Sequence, residues 1–200
     1  MSERPWPKFL ATWRRQHATA FLVIGLTLVL LHAAGEGTRL ALRYDRVAIG
    51  GGELWRIFTA HLVHLDLQHL LMNLAGLWLL GSLYGGDART RDWVVTALAS
   101  ALAIGIGLWF LTPSVAWYVG LSGVLHGVWA GGGVFCRRRW PLESTVTLAL
   151  LAIKLVLERE YGALSAVFGV GLPVITSAHV YGAIGGAVAA LALRLRRTPV

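Results

Sequence analysis

The chain has 200 residues, of which 56% are hydrophobic and only 14% are charged. Because a soluble domain carries about 25% charged residues, this composition excludes an ordinary soluble domain and indicates a polytopic membrane protein with one domain, residues 1–200. The formal charge of +8 does not indicate nucleic-acid binding. Its basic residues lie in short clusters between apolar runs, where anionic lipid headgroups are found.

Six apolar runs follow one another along the chain. The first comes after a basic segment, residues 1–16, and this start is also typical of a signal peptide with Ala33-Ala34 as a weak cleavage site. A retained helix is preferred because further runs follow. We therefore predict an all-α bundle of six membrane helices. The predicted spans are 18–34, 62–84, 93–111, 122–135, 142–157 and 177–193.

The connecting segments predict the orientation of the bundle. Twelve Lys and Arg lie in the termini and loops on one side of the predicted bundle, against five on the other side. The richer side is expected to be cytoplasmic, so both termini are predicted to be cytoplasmic. Residues 35–60 form a connection long enough to predict structure of its own. Lys154, inside the fifth span, is expected to snorkel outward.

Ser122 and His179 are the residues that most strongly suggest chemistry. Ser122 lies in the turn Gly120-Leu121-Ser122-Gly123 at the start of the fourth span, where free backbone N–H groups can stabilise an anion. Each residue lies 15 positions before a basic cluster, which predicts a shared depth of ~22 Å above the cytoplasmic charges. Small residues recur every fourth position on both helices, at 123, 127 and 131 and at 178, 182, 186 and 190. Such stripes let helices pack closely, so we expect a contact of ~2.6–3.2 Å between hydroxyl and imidazole.

The fourth and sixth spans contain no Asp or Glu. We therefore predict a Ser-His dyad, in which His179 is the base and packing alone orients its imidazole. The alternative is that both residues are merely polar side chains bonded to nearby backbone.

The second span begins with the pattern His64-x4-His69-x3-Asn73. His69 and Asn73 share a helix face, and the Asn73 amide is a suitable donor to an oxyanion, together with backbone N–H groups of Gly120, Leu121 and Ser122. Capping and inter-helix hydrogen bonds are the alternative role for these residues.

Three further residues, His64, His126 and Tyr181, are candidates for a supporting layer around the pair. His126 lies one turn below Ser122 and is expected to pack against His179 or bond the second span. A metal site formed by His61, His64 and His69 with His126 or His179 is the competing reading. The spans offer no His-Glu-x-x-His motif, and Asp66 is the one span carboxylate close in sequence to these histidines, so we predict no metal and no other cofactor.

Together these motifs resemble the rhomboid intramembrane serine proteases. Trp55-Arg56 in the first loop also resembles a motif of that family. The resemblance implies a six-helix bundle that cleaves peptide bonds in or near the bilayer. It implies Ser122 as nucleophile and His179 as base, with His69 and Asn73 holding the oxyanion. Many rhomboids carry an aromatic residue four positions after the serine, stacked on the histidine, where this chain has His126.

The octapeptide from Gly120 to Gly127 and the compact length are similar to the rhombosortase branch. This similarity implies an enzyme of the bacterial inner membrane whose site opens to the periplasm. Its expected partners are the lipid bilayer and exported, membrane-anchored proteins, from which it removes a tail made of a Gly-Gly motif, an apolar helix and basic residues. The alternatives are a general rhomboid protease acting on single-span proteins, a non-catalytic rhomboid-like binding protein and a His-rich membrane metalloenzyme.

Overall fold

A computed structural model describes residues 15–162 and 174–196, and the side chains from residue 19 onward. The predictions for the first 14 residues, for residues 163–173 of the last loop and for Arg197 lie outside this range. The described chain is mainly helical. Its helices are α1 (Arg15–Ala33), α2 (Gly35–Leu42), α3 (Arg46–Gly50), α4 (Arg56–Thr59), α5 (Leu67–Tyr84), α6 (Thr90–Phe110), α7 (Ser122–Cys136), α8 (Pro141–Tyr161) and α9 (Thr176–Leu195).

The long helices α1 and α5 to α9 lie where the six apolar runs lie. Within the described residues, α6 and α9 are long and apolar enough to cross a membrane, and α1 with α2 would make a third span if this pair, bent by 114°, is taken as one. Helix α7 has 15 residues, which is about 22 Å and shorter than a bilayer core of about 30 Å. The count of six spans therefore stays a prediction.

Helix α7 is short because it is the centre of the bundle. Most of its residues are buried, and it packs against α5, α6, α8 and α9. The surrounding helices expose their apolar side chains instead, including Leu98 and Ile106 of α6 and Ile153 and Val156 of α8. An apolar outer surface around a buried centre is what a bilayer favours, and a helix enclosed by others need not span the bilayer itself.

The contact between α7 and α9 is made by their small residues, which confirms the predicted packing of the two stripes. A Cβ atom added at Gly127 would lie 2.5 Å from the Gly182 carbonyl oxygen, and one added at Gly182 would overlap the Gly123 carbonyl oxygen. Ala178 is completely buried beside Gly123. The two backbones therefore touch directly, with no side chains between them.

Residues 35–66 fold into a structured region on one end of the bundle, and this region includes the connection 35–60 that was predicted to have structure of its own. Strand β1 (Tyr44–Asp45) pairs antiparallel with β2 (Trp117–Tyr118), which directly precedes the Gly120 turn. Arg46 donates to the carbonyls of Leu108 and Trp109 at the end of α6, at 3.0 and 2.6 Å. These last carbonyls of a helix have no partner within it, so Arg46 fixes the region to the bundle.

Arg56, of the Trp55-Arg56 pair, binds the same region together from within. It donates to the carbonyls of Leu40 and Arg43 at 2.9 and 3.0 Å and pairs with Glu53 at 2.6 Å. Trp55 is 53% exposed, as the interfacial role of tryptophan requires.

Two predicted helix limits differ from the observed ones by four residues or more. Helix α5 begins at Leu67, not at residue 62, because Asp66 accepts the His69 N–H at 2.8 Å as an N-cap and residues Ala60–Leu62 form a separate 3₁₀ turn. Helix α8 continues to Tyr161, four residues beyond the predicted end.

The expectation that Lys154 snorkels outward is wrong. Its ammonium contacts Glu158 one turn later at 2.5 Å, and its side chain is only 24% exposed. Residues four apart share a helix face, so this ion pair supports the last turns of α8.

Candidate active site

Ser122 and His179 meet at one end of the α7–α9 contact. His179 Nε2 lies 2.9 Å from Ser122 Oγ, within the distance expected from the two stripes. Ser122 is the first residue of α7, and His179 lies in the first turn of α9. The first turns of α7 and α9 therefore lie next to each other at the site.

A carboxylate that the sequence analysis did not include lies on the far side of the imidazole. Glu158 Oε2 is 2.7 Å from His179 Nδ1, and the side chains of both residues are at least 95% buried. The prediction that packing alone orients the imidazole is therefore wrong. It considered only the fourth and sixth spans, whereas this carboxylate comes from the extended end of α8. The described residues form a hydrogen-bonded chain from Lys154 through Glu158 and His179 to Ser122.

His126 stacks on His179, one of the two roles expected for it. The ring centroids are 4.0 Å apart and the ring planes differ by 11°. His126 Nδ1 donates to the Ser122 carbonyl oxygen at 2.7 Å. His126 therefore takes the place beside His179 at which the family resemblance implies an aromatic residue.

The turn before Ser122 has a conformation and a close contact that both require glycine. Gly120 has a φ of +114°, and a Cβ atom there would lie 2.6 Å from the His69 ring. Its carbonyl oxygen accepts from Tyr118 Oη at 2.8 Å and contacts His61 Nδ1 at 3.3 Å. Since a trans peptide directs its carbonyl and the next N–H to opposite sides, the Leu121 N–H points away from these two groups.

Not every N–H of the turn is free for an anion. The Gly120 N–H donates to the Ala60 carbonyl at 2.9 Å, so its predicted role as an oxyanion donor is wrong for this conformation. The N–H groups of Leu121 and Ser122 precede the first full turn of α7, so no helical carbonyl lies one turn earlier to accept them. These two donors remain available beside Ser122 Oγ.

His69 and Asn73 line the same cavity as Ser122. The His69 Nδ1 accepts the Leu65 N–H at 3.4 Å, which leaves the ring proton on Nε2, on the side against Gly120. One N–H of the Asn73 amide donates to the His69 carbonyl at 2.9 Å, and its second N–H is left for another acceptor. Both residues thus retain a donor near the turn.

The other two candidates of the supporting layer lie further from the pair. His64 is 2% exposed and packs its ring edge to face with His69, 5.1 Å between centroids, so it supports His69 and not the pair itself. The placement of Tyr181 in this layer is wrong: its hydroxyl lies 2.9 Å from Thr112 Oγ1, and its ring packs against Gly107 of α6. Successive residues on a helix point in different directions, which separates Tyr181 from His179.

A metal ion does not fit these residues well. The donor atoms of His126, Glu158 and His179 lie within 4.8 Å of one another, a grouping different from the one considered in the sequence. Both nitrogens of His179 are already hydrogen bonded, and the two rings are nearly parallel. Ring nitrogens bind metals in the plane of the ring, so parallel stacked rings do not converge on one ion.

A cavity of about 720 Å³ leads to the pair. Its wall on one side is α5 and on the other side α8, while α7 carries Ser122 and His126 along its floor. The lining is mainly apolar and includes Met72, Gly76, Leu79, Leu125, Trp129, Thr147 and Leu150. Charged groups in the described lining belong to Lys154 and Glu158, which lie beside His179.

Fold and site together define a helical membrane protein in which a serine, a histidine and a carboxylate are hydrogen bonded one to the next beside a cavity. Residues 51–196 match the family described as the Rhomboid domain, and this match covers most of the chain. The chain therefore belongs to the rhomboid family, which confirms the family resemblance of its motifs.

Relatives with established names belong to the same family. The chain is 32% identical over 148 residues to proteins named Rhomboid protease GlpG from Salmonella newport, Salmonella heidelberg and Salmonella typhimurium. The alignment covers 65% of this chain and 52% of each relative, so the chain spans about half the length of the curated relatives it matches.

The sequence held a signal for Glu158 that was not used. An ionisable side chain inside a membrane helix needs a partner, and Lys154 has a carboxylate four residues later on the same face. This pairing predicts that α8 continues past residue 157 and that its charged end turns inward.

Proposed function

We propose that this chain is an intramembrane serine protease in which Ser122 is the nucleophile and His179 the general base. The observation that carries the proposal is the 2.9 Å contact between Ser122 Oγ and His179 Nε2, made between two apolar helices where both residues line the cavity. A serine becomes a nucleophile when an adjacent base accepts its proton. Membership of the rhomboid family supports the same reaction.

In the proposed reaction, Ser122 Oγ attacks the carbonyl carbon of the scissile peptide bond while His179 Nε2 takes the hydroxyl proton. The oxyanion is stabilised by the N–H groups of Leu121 and Ser122, the Asn73 amide and the Nε2–H of His69. His179 then gives its proton to the leaving amine as the peptide C–N bond breaks. Water then attacks the acyl carbon while His179 takes a proton from it, and the bond between Ser122 Oγ and the acyl carbon breaks as His179 returns that proton to Oγ.

The substrate enters laterally between α5 and α8, along the cavity that ends at Ser122. Helix α8 supplies part of the cavity lining, which supports entry past this helix. An intact substrate helix hides its carbonyls within its own hydrogen bonds, so a segment of the tail must unwind before attack. Glycines near the cleavage site lower the cost of that unwinding.

A six-span topology with both termini cytoplasmic is part of the proposal. Arg194 donates to the Val134 carbonyl at 3.3 Å, and Arg91 and Arg196 line one small pocket, which supports a shared basic end for α6, α7 and α9. Ser122 and His179 both lie in the first turn of their helices, which is the end away from this basic end. Under the positive-inside rule the pair then opens to the periplasmic side of a bacterial inner membrane.

For the substrate, we propose the rhombosortase activity: removal of a C-terminal tail with a Gly-Gly motif, an apolar helix and basic residues from exported proteins. The octapeptide from Gly120 to Gly127 and the compact length support this branch. A general rhomboid protease is the second candidate, because the named relatives are rhomboid proteases of Salmonella.

The two candidates are separated by two reporters in membranes that contain this chain. One reporter carries a Gly-Gly tail, and its matched control has the same tail with both glycines changed to leucine; a generic single-span protein is the second reporter. The rhombosortase proposal predicts cleavage of the Gly-Gly reporter alone. Equal cleavage of the Gly-Gly reporter and the generic single-span protein would favour the general protease. If none of the reporters were cleaved, the result would count against proteolysis.

A further inference from the structure

The two oxygens of the Glu158 carboxylate have different partners. Oε2 is 2.7 Å from His179 Nδ1, and Oε1 is 2.5 Å from the Lys154 ammonium. The Glu158 side chain is 4% exposed and that of His179 is 5% exposed, so water does not compete for these contacts. Each oxygen is therefore assigned to one partner.

This contact decides which nitrogen of His179 holds the proton. A carboxylate only accepts hydrogen bonds, so His179 Nδ1 must donate to it, and a neutral imidazole then has no proton on Nε2. The bare Nε2 faces Ser122 Oγ at 2.9 Å and can accept the hydroxyl proton. The opposite tautomer would present an N–H to Ser122 and could not act as base.

Lys154 makes the buried carboxylate tolerable and fixes its orientation. An unpaired charge in an apolar interior is costly, whereas the ammonium one turn away neutralises it at short range. Because Lys154 only donates, the atom at the Oε1 position must be an acceptor. This requirement applies to any side chain placed at residue 158.

No neighbouring residue among those described can replace Glu158 in this role. His126 lies against the face of the His179 ring, and its own Nδ1 is bonded to the Ser122 carbonyl. A ring stacked on a face cannot accept the in-plane Nδ1–H.

We propose that Glu158 is a positioning residue that holds His179 in the productive tautomer, and that Lys154 is its counter-ion and fixes which oxygen faces the imidazole. The proposal rests on the proposed function, since it assigns a role toward the Ser122–His179 pair. It makes this site a four-residue chain in place of the predicted dyad.

The test replaces Glu158 by glutamine, which preserves its shape. Lys154 will take the amide oxygen, so the amide NH₂ will face His179 Nδ1 and force the proton onto Nε2. Loss of the correct tautomer costs about 10⁴-fold in kcat in serine enzymes with a buried acid. We expect Glu158→Gln to slow fluorophosphonate labelling of Ser122, and kcat for the Gly-Gly reporter, by about 10³–10⁴-fold with KM nearly unchanged.

A second substitution should partly restore the glutamine variant. In the double variant Lys154→Met with Glu158→Gln, nothing holds the amide oxygen, so the amide can turn and accept from His179 Nδ1. We expect the double variant to label at least ~10-fold faster than Glu158→Gln, because the amide oxygen can then accept the Nδ1 proton. The matched control is Glu143→Gln, an exposed glutamate on the same helix, which should label at the wild-type rate.

The outcomes are distinguishable. A wild-type rate in Glu158→Gln, or a double variant as slow as the single one, would overturn the positioning role. An unlabelled wild-type protein would instead overturn the serine mechanism itself. A measurement that needs no variant is the ¹⁵N spectrum of the wild-type His179 ring: a proton on Nδ1 is predicted, and a proton on Nε2 would overturn the proposal.

Discussion

Helix α9 contacts α7 and α8, two of its neighbours, in opposite ways. Against α7 the contact is between backbones, at Gly123, Gly127 and Gly182, with no side chain between them. Against α8 the contact is made by side chains: a small cluster around Leu151 and the ion-paired Glu158 on His179. His179 takes part in both contacts, since it bonds Ser122 of α7 and Glu158 of α8.

The two contacts of α9 therefore have different roles in the site. Close-packed backbones leave little freedom, so the α7–α9 contact fixes the distance between the Ser122 hydroxyl and the His179 imidazole. The α8 contact sets the tautomer and orientation of that imidazole. Since α8 also forms one wall of the cavity, a substrate entering there passes beside the residues that orient the base.

The largest effect is expected from a methyl group placed between α7 and α9. In Gly182→Ala the new Cβ overlaps the Gly123 carbonyl oxygen, so the helices must separate. We expect a loss of about 1–3 kcal/mol in stability and loss of nearly all cleavage. Thermal unfolding in detergent and a reporter assay measure both quantities.

The matched control for this change is Gly25→Ala on α1. A Cβ there meets Leu74 at an ordinary 3.6 Å, and alanine favours helix by up to ~1 kcal/mol, so equal or higher stability is expected. If Gly182→Ala were as stable and active as Gly25→Ala, close backbone packing would not be what sets the Ser122–His179 distance.

A smaller effect is expected from Asn73, on the cavity wall opposite α8. Removing one oxyanion donor costs about 10²–10³-fold in kcat, because the developing charge is stabilised less while substrate binding is unaffected. We expect Asn73→Ala to retain weak activity with little change in KM, as measured by initial rates of reporter cleavage. An unchanged kcat would mean that Asn73 does not stabilise the oxyanion and that its amide serves only to bond the His69 carbonyl.

The smallest effect is expected from substitution of His126. Its ring is stacked on the face of the His179 ring and does not bond either ring nitrogen of His179. Phenylalanine preserves the stacking and loses one hydrogen bond, to the Ser122 carbonyl, worth about 0.5–1.5 kcal/mol. His126→Phe should therefore keep cleavage within about tenfold of wild type. His126→Ala, which also loses the stacked surface, should be slower; the reverse order would mean that a ring nitrogen of His126 takes part in the reaction.

The features that could be predicted from the sequence are those that depend on the helical repeat, on the spacing of small residues and on segment length. Regular stripes on two helices placed Ser122 beside His179, and the length of segment 35–60 predicted its own structure. Glu158 was missed because a charged helix end was treated as a loop. Tyr181 was misplaced because residues two apart on a helix point in different directions. The role of the Gly120 N–H was mispredicted because its hydrogen-bond partner, the Ala60 carbonyl, is distant in sequence.

The central claim is that Ser122 is a nucleophile activated by His179, and covalent labelling tests it most directly. The purified protein is treated with a fluorophosphonate probe and the adduct is mapped by mass spectrometry, with Ser114→Ala and His179→Ala as comparison variants. Ser114 lines the same cavity, while both ring nitrogens of His179 are hydrogen bonded to other residues. The account predicts an adduct on Ser122 in the wild type and in Ser114→Ala, and none in His179→Ala. An adduct on another residue, or equal labelling of Ser122 without His179, would contradict it.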